Sequence, residues 1–556
     1  MFSSCFNFLK VTLLTTIVLL AFVYSSLGWR HFETNESTRV IVGAIILISM
    51  YSLMVFELVN RNLAALIGAA VSVAAYDCLL EPVRMEQIIL WEDLETLALL
   101  FGMMIIVNVL AISGLFDMLA IWAYKQAAGR FWLLIVILSF VTAFLSAFID
   151  NVSAMLLVAP TLIKLAELER LDPRYILIIM IIFCNIGGCA TPVGDPPNLI
   201  IIGDPLVSEL GISFGIFVSY CAPCVVLTIS IILIYLKLTY KSKDSFKLAN
   251  LSSLYDEKSD STSIQVMELD GSQNYGVSVR RVDSVRLSDG AIKRIMATNM
   301  IRSKTILFQS VSVLVVTVVL FFIQSLPGVN LTLGWISLFA GLTLLILSSG
   351  TKLKTSSDDG NNEEEEEREL MDDEESDTFE LVINNIEWST LIFFFSLFIV
   401  MEVMAKLGLI NFVGQQISHL IDLLPAGLWR EIGALTIILW SSGVASALID
   451  NVPFTSMMIK VLGAMIVANV RPGSDVHLPA SLDVKALVFA LAFGACYGGN
   501  GTIIGASANL VTAGVAGRHG YPISFNGFFR FSVVPTLISL VVANIYLVVV
   551  FVLLKL

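Results

Sequence analysis

Apolar runs of about 20 residues recur from Phe8 to the end of this chain, and no other feature narrows the available folds as far. A run of that length crosses the hydrocarbon of a bilayer as one helix, at about 1.5 Å rise per residue. No water is available there, so a segment that enters must satisfy its own backbone groups, as a helix does. Barrel strands would give shorter alternating segments instead. Composition agrees: 57% of the 556 residues are hydrophobic and 14% are charged, against about 25% charged in a soluble globule. The expected fold class is an all-α polytopic membrane protein.

The first run, roughly Phe8 to Trp29, reads either as a true span or as a signal anchor. After it, the apolar periodicity predicts helices at about 39–58, 62–79 and 95–116, two segments at 131–148 and 152–165, an interrupted helix at 174–205 and a span at 213–237. The pattern then restarts with spans near 305–325, 333–349 and 388–405, segments at 432–448 and 453–469, an interrupted helix near 484–515 and a last span near 527–555. The domains expected are an N-terminal span with its short outside loop (1–38), a first transport repeat (39–238) and a cytoplasmic polar loop (239–304). A second repeat (305–556) follows, interrupted by an acidic cytoplasmic loop (352–387).

The restart is a duplication. "SAFIDNV" at Ser146 returns as "SALIDNV" at Ser446, and "WEDL" at Trp91 faces "WSTL" at Trp388. "NVLAISGL" at Asn108 faces "EVMAKLGL" at Glu402, and "GGCATPVGDPPNL" at Gly187 faces "GGNGTIIGASANL" at Gly498. If each Asp-Asn region is a re-entrant hairpin, each repeat has five crossings. Five is odd, so the second repeat enters the membrane inverted. Charge supports this topology: Arg61, Lys125, Arg130, Lys164, Arg170, Arg174 and the basic central loop fall inside. The outside loops are poorer in Lys and Arg, though not free of them, with Arg84, Lys406, Arg430 and Arg471 there. The two hairpin tips then meet near the midplane, one from each side.

An aspartate at the bilayer centre costs about 2.5–3.5 kcal/mol on insertion scales and usually marks an ion or proton pathway. Asp150 and Asp450 can hold a cation such as Na⁺ through carboxylate oxygens, or take up a proton; Asn151 and Asn451 add amide donors and acceptors. The plainer role is capping, since Asp and Asn close helix N-termini. Gly187, Gly188 and Gly194 with three prolines, and Gly498, Gly499, Gly501 and Gly505, break their helices, exposing half-helix termini and free carbonyls. Thr191, Asn198, Thr502 and Asn509 add neutral polar groups. Asp195, in "GDPPN", serves either a turn or a ligand, and the second repeat has Ala506 in its place. Glu402 is either a helper carboxylate or a solvated interfacial acid.

Other features carry less. Much of the net charge of −13 comes from the acidic run starting at Asp358, which reads as a solvated loop. With no basic stripe, nucleic acid is not an expected partner. Seven cysteines make no disulfide framework, and "CAPC" at Cys221 lies in an apolar span, where a structural role is expected. The four histidines (His31, His419, His477, His519) do not cluster, so no structural metal and no cofactor are expected. Asn35, in the outside segment "TNESTR", is a glycosylation acceptor.

"SAFIDNVSAMLLVAPTLIKL", "NIGGCATPVGDPPNLII", "SALIDNVPFTSMMIKVL" and "ALAFGACYGGNGTIIGASANLVTAGVAGRHGY" resemble the melanosomal P protein (oculocutaneous albinism protein) family. More distantly they resemble the superfamily of arsenite permeases, Na⁺/H⁺ antiporters and citrate or dicarboxylate carriers. The resemblance implies a homodimer of inverted repeats with two re-entrant hairpins and two broken helices. It also implies a role in organelle pH or anion balance, in a melanosome or another endolysosome-related organelle, with the plasma membrane as the other address. The dicarboxylate branch carries Ser-Asn-Thr at each tip, where Na⁺ and substrate bind. Here the tips read Asp150-Asn151-Val152 and Asp450-Asn451-Val452, and two carboxylates repel a dianion unless they are protonated or metal-paired.

The leading expectation is thus a secondary transporter or antiporter coupling a small inorganic or organic ion to H⁺ or Na⁺ in a lipid bilayer, and the runner-up is an anion channel on the same fold. An intramembrane aspartyl protease also needs two membrane aspartates. Its Tyr-Asp and Gly-x-Gly-Asp signatures are not matched by one duplicated motif and "PVGD", so no catalytic residue is expected.

Overall fold

The computed structural model describes residues 35–240, 246, 303–349, 378–470 and 483–555, apart from 56–58, 92, 170, 327, 330 and 426. The run from Phe8 to Trp29, most of the central polar loop, the acidic run, Arg170, Arg471, His31 and His477 lie outside the described residues.

Among the described residues the chain is all-helical. The first half runs α1 (Glu36–Val55), α2 (Arg61–Leu79), α3 (Met85–Leu90), α4 (Leu94–Ile112), α5 (Leu115–Ala127), α6 (Phe131–Ser146) and α7 (Asn151–Leu168). It continues with α8 (Pro173–Gly188), α9 (Pro196–Gly203), α10 (Pro205–Glu209) and α11 (Phe214–Thr239). The second half runs α12 (Lys304–Gln324), α13 (Leu333–Ser348), α14 (Thr378–Asn385), α15 (Trp388–Lys406), α16 (Leu409–Asp422), α17 (Leu428–Leu448) and α18 (Asn451–Val470). It ends with α19 (Val484–Gly498), α20 (Ser507–Arg518) and α21 (Phe525–Leu547), the last closing in a π turn, Val548–Leu553. Among the described residues, eight helices are long and apolar enough to cross a membrane. One is Leu428–Leu448, expected as a hairpin arm; at 21 residues it reaches about 31 Å.

The long elements fall within a few residues of the sequence expectation. The short ones, α3, α5, α10, α14 and α16, were not expected, because each is too short or too amphipathic to give a span signal. α5 and α16 start alike: Gly114 and Gly408 sit at φ 83° and 87°, where a side chain would be strained, and turn the chain into each helix.

Packing repeats along with sequence. α2 lies against α15 and α4 against α13; α6 lies against α8 and α17 against α19. Each tip helix also crosses to the other half, α7 against α20 and α18 against α9. Close approach within each half needs a glycine: a Cβ on Gly187 would fall on the backbone of Ala143, and one on Gly498 on the backbone of Gly443. The innermost elements, α8 and α19, are buried along almost their whole length.

Candidate functional site

At the first tip, Asp150 caps α7, accepting from the Val152 and Ser153 N–H groups at 3.0 Å each. The Ser146 hydroxyl lies within hydrogen-bond reach of Asn151 Oδ1 and of the Cys184 carbonyl, the latter at 2.7 Å, and its one proton serves either acceptor. At the second tip, Asp450 accepts from Val452 N–H at 3.1 Å, and Ser446 donates to the Ala495 carbonyl at 2.6 Å. Both capping roles foreseen for the aspartates are therefore filled, each by one oxygen, Oδ1.

The two helix breaks share one solution to their freed backbone groups. Thr191 donates to the Ala147 carbonyl, and its oxygen accepts from Val193 and Gly194 N–H at 3.2 Å each. Thr502 donates to the Ala447 carbonyl at 2.6 Å and accepts from Ile504 and Gly505 N–H at 3.3 and 3.2 Å. Asn198 Nδ2 donates to the carbonyls of Gly188 and Thr191 at 3.2 and 3.1 Å. Asn509 Nδ2 donates to those of Gly499 and Thr502 at 2.8 and 2.9 Å. Carbonyls released where each helix breaks thus find donors, which is what lets a helix stop inside the protein. Across the repeats, Cys496 Sγ donates to Asn198 Oδ1 at 3.3 Å, and the matching position, Asn185, donates to Asn509 Oδ1 at 2.9 Å.

Between tips and breaks lies a cavity of about 760 Å³, measured out to its open mouth. Asp150, Asn151, Asp195 and Asn451 line it, with Glu387 and Thr390 from the start of α15, Arg61 from α2 and Ser507 from α20. Apolar walls come from α4 and from Phe393 and Phe394. Asp195 is 2% exposed, and its side chain does not cap α9. Instead its Oδ2 accepts from Asn451 Nδ2 of the opposite tip at 3.4 Å, so of the two roles open to it the turn is left to the backbone. Asp450 stands behind the lining, where Oδ2 meets Arg61 Nη1 at 3.4 Å and accepts from Ser507 Oγ at 2.8 Å. Three carboxylates therefore line the cavity with one guanidinium, which pairs with a fourth behind it.

The remaining expected residues are elsewhere. Gly187, Gly188, Thr191, Asn198, Gly498, Gly499, Thr502 and Asn509 form the frame behind the cavity rather than its lining. Glu402 lies off the cavity and pairs with Lys460 at 3.0 Å and Lys406 at 3.4 Å. Asn35 is exposed just before α1. Sequence reasoning missed Arg61, Glu387 and Ser507. Arg61 had been counted as an inside loop charge and Glu387 as the end of the acidic loop; no local motif distinguishes either. Among the described residues no three His, Cys, Asp or Glu side chains are grouped to hold a metal ion.

Helix tips from two sequence repeats, facing a charged cavity inside an all-helical membrane protein, are the architecture of a membrane transporter. Residues 51–482 match the family model described as citrate transporter (CitMHS), and the chain belongs to that family of transporters, which are not enzymes. P protein of Sus scrofa is 36% identical over 546 residues, 94% of this chain and 60% of that protein. P protein of Homo sapiens is 35% identical over 559 residues. The chain thus spans about three fifths of the length of these relatives. An uncharacterised transporter of Mycobacterium bovis is 30% identical over 513 residues, covering 91% of this chain and 97% of its own length. Among solved structures, the Alcanivorax borkumensis YdaH transporter superposes over 90% of this chain and 97% of its own, at 12% identity and a TM-score of 0.46.

Proposed function

We propose that this integral membrane protein is a cation-coupled secondary carrier, exchanging or co-moving a small ion with H⁺ or Na⁺. The observation that carries this reading is the charge of the cavity: Asp150, Asp195 and Glu387 line it and Asp450 stands behind, while Arg61, the one lysine or arginine of the lining, is paired with Asp450. Carboxylates set among apolar walls favour uptake of a proton or a small cation, because burial penalises the bare charge. The ion site of this reading is Asp150, Asn151, Asp195, Asp450 and Asn451. The two Asp-Asn tips are re-entrant, the repeats are inverted, and Gly187, Gly188, Thr191, Asn198, Gly498, Gly499, Thr502 and Asn509 hold the tips in place. The family's name refers to citrate; in this cavity a citrate would have to enter with cations of its own. By likeness to the P proteins the carrier acts in an endolysosome-related organelle as a homodimer, glycosylated at Asn35.

Arg61 favours a second reading, an anion channel, because a guanidinium at the cavity wall attracts anions. Liposomes loaded with a pH dye separate the two. Proton flux driven by a Na⁺ gradient, with no Cl⁻ current, supports the carrier. A Cl⁻ current without proton movement overturns it in favour of the channel.

A further inference from the structure

The two tip acids are not equivalent. Asp150 faces the cavity, and among the described residues no lysine or arginine forms an ion pair with it. Asp450 is screened from the cavity by Arg61, whose Nη1 lies 3.4 Å from Asp450 Oδ2 and donates to Ser507 Oγ. Arg61 opens α2; the equivalent helix α13 opens on Leu333, so this cation belongs to one half only. Its Cζ stands 5.9 Å from the centre of the Phe393 ring, a cation–π position that steadies the head group.

We propose that Arg61 is a specificity-determining residue: a tethered cation that occupies Asp450 and must be displaced before the second tip accepts a coupling ion. This rests on the cation-coupled reading. Asp150 and Asp195 then form the half of the site that is always available, and Asp450 the half released by loading. Three observations favour displacement over a permanent structural pair. The contact is single and 3.4 Å long, not the two-pronged fork of a tight Arg–carboxylate pair. The Arg61 side chain is 30% exposed and that of Asp450 12%, so a competing ion reaches the pair from the cavity. Ser507 touches both groups, so the carboxylate and the guanidinium each keep a partner when they part.

The charged and titratable groups around the pair all come from neighbouring elements. Glu387 lies within electrostatic reach of Arg61 and Asp195 within that of Asp450, and both within that of Asp150. Tyr51 of α1 lies within electrostatic reach of Asp450, its hydroxyl donating to the Pro453 carbonyl at 3.1 Å. A group held at the site by its own chain competes at a high effective concentration, so removing it tightens binding of the free ion.

The test is a Na⁺ titration of the purified full-length protein in detergent at fixed pH, read as the shift in melting temperature and repeated as a pH series. Variants are Arg61→Gln, Arg61→Lys, Asp450→Asn and the Arg61→Gln/Asp450→Asn pair. Arg61→Gln is expected to lower the half-saturating Na⁺ concentration, or raise the midpoint of the proton response, by about tenfold. Asp450→Asn is expected to erase that difference. Arg61→Lys keeps the charge but loses the planar guanidinium and its ring contact, and gives an intermediate shift; it decides the matter if Arg61→Gln does not fold. A wild type that responds to cations while the Arg61 variants superimpose on it overturns the role of Arg61 alone, as does a shift that persists without Asp450. A wild type that responds to neither Na⁺ nor pH overturns the cation-coupled reading and this role together.

Discussion

The two halves of the site make the same bonds in their frames and different ones at their acids. Thr191 and Thr502 close the two breaks onto Ala147 and Ala447, and Asn198 and Asn509 each hold the two carbonyls that the breaks release. Yet the first break ends in Asp195, inside the cavity, where the second has Ala506. The second tip carries an arginine partner, which the first lacks. Duplication preserves what a broken membrane helix requires of physics, namely a donor for every stranded carbonyl. The charges are free to diverge where no frame bond depends on them, as at Asp195, whose side chain leaves the turn at the break to the backbone.

The comparison can be broken most severely at the glycines. Gly187→Val and Gly498→Val each drive a side chain into a facing backbone, and each should cost more than about 3 kcal/mol. Loss of monodisperse folded protein to a similar degree in both would confirm matched frames. Next, Asn198→Ala and Asn509→Ala strand two carbonyls each, at about 3 kcal/mol. The second should be the more damaging in thermal unfolding, because Asn509 Oδ1 receives an amide N–H and Asn198 Oδ1 only a thiol. Thr191→Val and Thr502→Val should lose about 2 kcal/mol apiece and agree closely with one another.

Function should then diverge where the frames agree. Asp195→Asn is expected to weaken cation-driven flux about tenfold, equivalent to about 1.4 kcal/mol, without loss of stability, since removing a buried acid that has no cationic partner is neutral or favourable. Ala506→Asp tests the mirror position and should place a new carboxylate beside Arg61 without restoring flux to Asp195→Asn. The smallest effect belongs to Glu402→Gln, within about 1 kcal/mol of wild type and with unchanged flux, because Glu402 is spent on Lys460 and Lys406.

Much of this was legible in the chain itself. A repeated heptapeptide and a repeated glycine segment located both tips and both breaks, because a costly residue inside an apolar run stands out against its surroundings. The pairing of Asn185 with Asn509 and of Cys496 with Asn198 was not legible: it joins residues more than 290 positions apart across the two halves. Arg61 was hidden for a different reason. At the end of an apolar run, a cation that faces lipid headgroups and one that turns into a cavity have the same sequence signature. Only the folded position of α2 beside α15 tells them apart.

The most direct measurement is Na⁺-driven proton flux in proteoliposomes for wild type, Asp150→Asn, Asp450→Asn and the double variant. If the tips form one cation site, flux falls sharply in Asp150→Asn, falls less in Asp450→Asn, and vanishes in the double variant while the protein still reconstitutes. Wild-type flux in the double variant would contradict the account and leave both aspartates as helix caps.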